Sequence, residues 1–166
     1  MQVPLSYHEL HANHGARFGA VSGMEVVADY GDTRTEQCAL RDSAGLLDLS
    51  FRGRICLTGM DRVRLLNGQV TNDIQKLRPG EGCYAALVTA KGKFQCDLHV
   101  YALEEELLLD FEPGLTGPIL ERFEHYIVAD DVQAVDVAPF YGLLSVQGPR
   151  ATEVLDFLEL GIPHPT

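Results

Sequence analysis

The sequence predicts an α+β fold built on a mixed, mainly antiparallel sheet with packed helices. Strand-like alternation recurs in the middle of the chain, above all over Tyr84–Thr89 and Phe94–Leu103, on either side of a turn at Ala90-Lys91-Gly92-Lys93. Helical periodicity recurs as well: Leu115–Ile127 carries Ile119, Leu120, Phe123 and Tyr126 at helical spacing. Successive strands are joined by hairpin-like turns and not by crossover helices, which argues against a doubly wound parallel sheet.

Along the chain, Ser6–His14 reads as a short helix with Ser6 as N-cap and Glu9 completing a capping box, stopped by Gly15. Gly23–Ala28 reads as a short strand, and Asp32-Thr33-Arg34-Thr35-Glu36 as a capped entry into a helix reaching Ser43. Leu46–Phe51 and Arg54–Leu57 read as strands, and Asp61 opens a helix carrying Val63, Leu65 and Leu66. Pro79-Gly80-Glu81-Gly82 is a turn cluster. After the central hairpin, Glu104-Glu105-Glu106 reads as a solvated turn leading into a strand at Leu107–Phe111. Two more strands, Val132–Val137 and Tyr141–Val146, precede the break at Gln147-Gly148-Pro149 and a helix over Arg150–Leu160.

Composition narrows the function. A net charge of -11 disfavours binding to a nucleic-acid backbone or an anionic membrane surface, both of which need clustered Lys and Arg. Met1–His14 lacks a basic start followed by an apolar run, and no apolar stretch nears the ~18 residues of a membrane span. A cytoplasmic location is the expectation. Cys38, Cys56, Cys83 and Cys96 form no C-x-x-C pair and have no His at metal-ligand spacing, so they read as reduced, mostly buried thiols, and no metal is expected. His11 and His14, three apart on a terminal helix, lack a third ligand and read as a solvated face.

One constellation could carry chemistry. Alternation along Phe94–Leu103 puts Phe94, Cys96, Leu98 and Val100 on one face, read as core, and Gln95, Asp97, His99 and Tyr101 on the other. The second set is either ordinary solvent-facing surface or the polar wall of a ligand pocket, and pattern alone does not separate them.

Several segments resemble the glycine-cleavage T-protein (aminomethyltransferase) superfamily. Arg41-Asp42-Ser43-Ala44-Gly45-Leu46-Leu47-Asp48-Leu49-Ser50 is similar to its R-x-x-A-G-L-F-D-x-S segment, and Thr71-Asn72-Asp73-Ile74 with Leu77, Pro79 and Gly80 to T-N-D-[IV]-x-x-L-x-P-G. Tyr84, Gly92 and Asp97-Leu98 fall where the family has its tyrosine, glycine turn and key aspartate. Gln147-Gly148-Pro149-Arg150-Ala151 matches Q-G-P-x-A.

The resemblance implies a chain corresponding to the N-terminal half of a folate-binding domain, residues 1–166, divisible into 1–50 with 130–166 and 51–129. It implies tetrahydrofolate or another reduced folate as cofactor, lying in a channel. Asp97 would face the pterin as the catalytic carboxylate, stabilising positive charge on the folate nitrogens. Tyr84, His99, Tyr101 and Arg52 would line the channel, with Glu112 where transferases usually carry Asn. Lys91-Gly92-Lys93-Phe94-Gln95-Cys96-Asp97 departs from the transferase pattern G-G-I-x-D-D, and Ser50-Phe51-Arg52-Gly53 from S-H-M-G. These departures lean toward the family's relatives that use folate to assist iron–sulfur assembly. The alternatives are an aminomethyl- or one-carbon-transferring enzyme, and an interaction domain whose folate site has decayed. As one wall of a two-part channel, the chain would need the missing C-terminal half, and it would self-associate or present an open groove without it.

Overall fold

The computed structural model describes residues 2–160. In chain order the elements are α1 His8–Asn13, β1 Arg17–Val21, β2 Met24–Asp29, α2 Thr33–Asp42, β3 Gly45–Asp48, β4 Gly53–Thr58 and α3 Arg62–Asn67. A 3-10 turn at Ile74–Lys76 follows, then β5 Gly82–Val88, β6 Phe94–Ala102, β7 Glu106–Phe111, α4 Thr116–Tyr126, β8 Gln133–Asp136, β9 Leu144–Gln147 and α5 Ala151–Phe157. The fold is α+β, and every strand pairing between named strands is antiparallel. The chain divides into two compact units, Arg52–Phe140 and Met1–Phe51 with Tyr141–Thr166.

The unit Arg52–Phe140 holds a five-stranded sheet in the order β5-β6-β7-β4-β8. One face packs Ile55, Leu57, Leu98, Val100, Leu109 and Phe111, all essentially inaccessible, into a core with Leu66 of α3, Ile74, and Ile119 and Phe123 of α4. Burying each such side chain contributes about 1.5–3 kcal/mol. Cys96, Leu98 and Val100 face this core as their alternation suggests, but Phe94 does not: it is 64% exposed. The ladder slips between Leu87 and Val88, so the first residue of β6 lies across an irregular pair, where the alternation no longer holds.

Arg122 ties α4 to the sheet, donating from Nε to Gln69 Oε1 at 2.8 Å and from Nη2 to the Val88 carbonyl at 2.7 Å. A third bond goes to Gln95 Oε1, which assigns Gln95 to this latch. Glu106 is no solvated turn residue either. It opens β7 and accepts a bond from Cys56 Sγ at 2.9 Å.

In the other unit β1 and β2 form a hairpin, and β3 and β9 a separate two-stranded ribbon. Asp32 caps α2 as expected, accepting from the Thr35 amide at 3.1 Å. Ser6 does not cap α1: the helix begins at His8, and the N-cap position falls on Tyr7, which makes no side-chain capping bond. The helix is held instead by its histidines. His8 Nδ1 lies 2.7 Å from Glu25 Oε2, and His11 bridges Asp48 Oδ2 at 2.8 Å and the Tyr30 hydroxyl at 2.7 Å. His11 is thus a half-buried fastening and not part of a solvated face, because the Asp48 carboxylate it serves has a nearly inaccessible side chain.

Two motif glycines mark close approaches. Gly148 has φ +119°, and a Cβ there would meet the Ser43 carbonyl oxygen at 2.4 Å; this is how the Q-G-P turn lies against the Arg41–Gly45 segment. At Gly53 a Cβ would meet Phe111 Cε2 at 2.3 Å. Gly53→Ala is therefore expected to displace a fully buried ring and cost about 1–3 kcal/mol, as overpacking does. A urea midpoint equal to that of the parent chain would contradict this account of the core.

Candidate functional site

The second face of the five-stranded sheet carries the polar residues. Pairing sets Tyr84 opposite His99, His99 opposite Asp110, and Asp110 opposite Arg54, so one cross-strand row runs over β5, β6, β7 and β4. Directly opposed residues share a face, which puts these side chains on the side away from the core. Tyr101 and Asp97 flank His99 on β6, on the same face.

Tyr84 Oη donates to Asp97 Oδ2 at 2.5 Å. The Tyr84 and His99 rings lie 5.1 Å apart, and His99 and Tyr101 stack at 6.2 Å with 19° between their planes. Three rings and one carboxylate therefore form a continuous strip. The hydrogen bond from Tyr84 holds the Asp97 carboxyl below the usual carboxylate range, aided by its own backbone amide and by the charge of Arg52. The same bond pushes the Tyr84 phenol up.

Beside the strip, Arg52 donates from Nε to Asp110 Oδ1 at 2.8 Å and from Nη1 to Glu112 Oε1. Burial opposes its charge, but the bond to Asp110 prevails and Arg52 is held above its ordinary value. Partial burial, reinforced by Asp110, raises the Tyr101 phenol. Asp97, Asp110 and Glu112 outnumber the Arg52 and Arg54 guanidiniums on this face, and Asp97 is bonded by a phenol and not by an arginine, so the face suits a ligand bearing N–H donors or positive charge. The exposed rings offer a stacking surface for a flat heteroaromatic group.

All six residues singled out in the sequence, Arg52, Tyr84, Asp97, His99, Tyr101 and Glu112, lie in this region, whereas Gln95 is engaged by Arg122. Two contributors were not assigned to the site from the sequence, although Asn72 stands in the T-N-D motif noted there. Asp110 is the partner of Arg52, and its only signal is a lone acid in the apolar run Leu107–Phe111. Asn72 is the other. Its side-chain amide donates to the Tyr84 carbonyl at 3.0 Å, while the Thr71 amide donates to the Ala86 carbonyl and Thr71 Oγ1 accepts from the Ala86 amide. The Thr71-Asn72 pair thus fixes the backbone from which Tyr84 projects.

Among the described residues no group of three or more His, Cys, Asp or Glu could hold a metal ion. Cys56 and Cys96 are buried, and Cys38 and Cys83 only half-buried. Burial pushes the Cys96 thiol up to about 11, and burial with the Glu106 contact pushes Cys56 to about 12, so neither is a ready nucleophile. No helix among the described residues is long and apolar enough to cross a membrane.

Comparison with known proteins decides the family: the model of the GCVT N-terminal domain family matches residues 7–161. This chain belongs to that family. It is 32% identical over 158 residues to a probable aminomethyltransferase of Natronomonas pharaonis, covering 93% of this chain and 44% of that protein. It is 32% identical over 146 residues to the aminomethyltransferase of Streptomyces coelicolor, covering 87% of this chain and 39% of that one. The crystal structure of glycine cleavage system aminomethyltransferase T from Bartonella henselae superposes with a TM-score of 0.89 at 26% identity, over 99% of this chain and 46% of that one. The chain therefore spans less than half the length of these relatives.

The Tyr84–Asp97 bond makes a pH-dependent prediction. Asp97 has a depressed folded value, so its ionised form contributes stability above the ordinary carboxylate range, and the contribution is lost as pH falls through the folded value. In a carbon-detected NMR titration, Tyr84→Phe should move the Asp97 midpoint upward, toward an ordinary aspartate. An unchanged midpoint would mean that the phenol does not hold the carboxylate.

Proposed function

We propose that the chain binds a reduced folate on the face formed by Tyr84, Asp97, His99 and Tyr101, flanked by Arg52 and Glu112, and serves folate-dependent one-carbon chemistry. The observation that carries this reading is the Tyr84–Asp97 hydrogen bond, which keeps a carboxylate ionised beside a strip of rings. A pterin is flat and rich in N–H donors, and both features match the strip. Asp97 would stabilise positive charge on the folate nitrogens as a one-carbon unit leaves, because a fixed anion next to a developing cation needs no reorganisation. Tyr84 would position that carboxylate, and the ring stack of His99 and Tyr101 would support the pterin plane.

The departure at Cys96 leaves the Tyr84–Asp97–His99–Tyr101 strip itself untouched. Cys96, which takes the place of the first acid of the D-D pair, lies in the core, so no carboxylate is lost from the Asp97 side. The relatives' names favour aminomethyl transfer as the reaction of the complete polypeptide. A second reading, folate-dependent assembly or repair of iron–sulfur enzymes, is favoured by the Gly92 turn with its single glycine and by Arg52 in place of the family's methionine. The four free thiols fit a reducing, cytoplasmic setting for either.

Calorimetric titration of tetrahydrofolate into the complete polypeptide and into its Asp97→Asn variant tests the reading. Loss of a charged hydrogen bond predicts affinity weaker by about 1–3 kcal/mol for the variant. Equal affinities would remove Asp97 from the site. A tetrahydrofolate-dependent aminomethyl-transfer assay on the complete polypeptide then separates the two chemistries, since an assembly factor would bind folate without turning it over.

A further inference from the structure

Most basic side chains of this acidic chain are engaged. Arg17, Arg41, Arg52, Arg64, Lys76 and Arg150 each pair with a carboxylate, and Arg54, Arg62 and Arg122 donate to carbonyl oxygens. Lys91 and Lys93 are different. Both are exposed at the tip of the β5–β6 hairpin, and neither has a carboxylate partner among the described residues, although the chain carries a net charge of -11. The tip that carries them is fixed. The Gly92 amide donates to the Thr89 carbonyl at 2.8 Å, the Thr89 amide to the Lys93 carbonyl at 2.9 Å, and the Lys93 amide to Thr89 Oγ1 at 3.0 Å. Gly92 supplies the left-handed φ of +71° that closes the turn.

An apolar pocket of ≈ 240 Å³ lies beside this tip. Phe94 follows Lys93 and stands exposed where the ladder slips, and the next two residues, Gln95 and Cys96, already line the pocket. Leu87, Cys96, Leu115 and Ile119 give it an apolar lining, and Gln95 and Arg122 are its polar residues. Those two leave little for a polar ligand. Arg122 bonds Gln95, Gln69 and the Val88 carbonyl, and its guanidinium carbon lies 5.1 Å from the Tyr126 ring centroid. The space therefore suits an apolar group. At roughly eight times the ~30 Å³ share of a water molecule, it has room for one large side chain.

We propose that the hairpin tip and this pocket form a docking surface for an acidic polypeptide segment, which seats one apolar side chain in the pocket while flanking carboxylates pair with Lys91 and Lys93. Charge selects that occupant. A segment of opposite sign is drawn to two cations that the chain leaves without a carboxylate, whereas a second copy would bring one net charge of -11 against another. A nucleic-acid backbone or an anionic lipid surface needs a larger basic cluster than two lysines. Phe94, between the lysines and the pocket-lining residues in the chain, adds exposed apolar surface at the margin. None of these residues belongs to the strip of Tyr84, Asp97, His99 and Tyr101, so the surface stands whether or not that strip binds folate.

The test uses the complete polypeptide without folate, and the probe is the fluorescein-labelled peptide Asp-Glu-Leu-Glu-Asp. Fluorescence anisotropy is expected to report binding that weakens about fivefold or more as added salt screens the charges. The uncharged peptide Asn-Gln-Leu-Gln-Asn should bind about fivefold more weakly, as loss of two exposed ion pairs predicts. Asp-Glu-Gly-Glu-Asp, which lacks the apolar anchor, should bind about tenfold more weakly. Carbodiimide coupling, which joins an amine to a carboxylate in contact with it, should link the probe to Lys91 or Lys93. Replacing both exposed lysines, Lys91→Gln with Lys93→Gln, should remove the binding and the crosslink together. Four results would overturn the proposal: no binding of the charged probe, equal affinity for the peptide without the anchor, crosslinks confined to Lys76, or chain-to-chain crosslinks through Lys91 or Lys93 with no probe present. The last would assign the surface to a second copy.

Discussion

The antiparallel register of β5, β6 and β7 is the constraint on which the rest depends. Tyr84 opposite His99 and His99 opposite Asp110 is one pairing, yet it decides two surfaces at once. Leu98 and Val100 enter the core because their neighbours Asp97, His99 and Tyr101 do not. A slip of one residue would exchange the two sets, exposing the leucine and valine and burying a carboxylate without a partner. The core therefore fixes the site. Each buried aliphatic side chain on one face is a reason for a polar side chain to stay on the other.

Several features reinforce that register from outside the ladder. Gly53 lets β4 lie against the Phe111 ring. Arg122 clamps α4 to Gln69, Gln95 and the Val88 carbonyl, near the irregular end of the β5–β6 pair. Arg52 joins Asp110 and Glu112 of the β7 end by charge. Arg52, Asp110 and Glu112 thus carry opposite partners within a small area, and their arrangement is settled by strand geometry before any ligand is present.

Much of this was legible in the sequence. The central hairpin, the helix over Leu115–Ile127 and the Asp32 cap follow from local chemistry: period-two alternation, helical spacing and a side-chain oxygen before a first turn. The shared face of Asp97, His99 and Tyr101 was legible for the same reason. What was hidden depended on partners distant in the chain. Ser6 looked like a cap, but α1 is set by His8 and His11 reaching Glu25 and Asp48, contacts that no local pattern reports. Phe94 looked like core until the ladder slipped beside it. Gln95 shared the site's parity and was drawn away by Arg122 on a helix 27 residues later. The strand Arg17–Val21 was missed because it is short and broken by Gly19.

Asn72 has a further effect that follows from where it sits. β5 is the last strand of its sheet, and a bare outer strand invites another chain to add to it. The bridge at Val70, the Thr71 bonds to Ala86 and the Asn72 bond to the Tyr84 carbonyl occupy that margin. At the opposite margin β8 is only 4 residues long. The sheet that carries the polar strip is thus shielded from uncontrolled accretion at the strand nearest the strip. The residues that hold Tyr84 in place also act as a guard against aggregation.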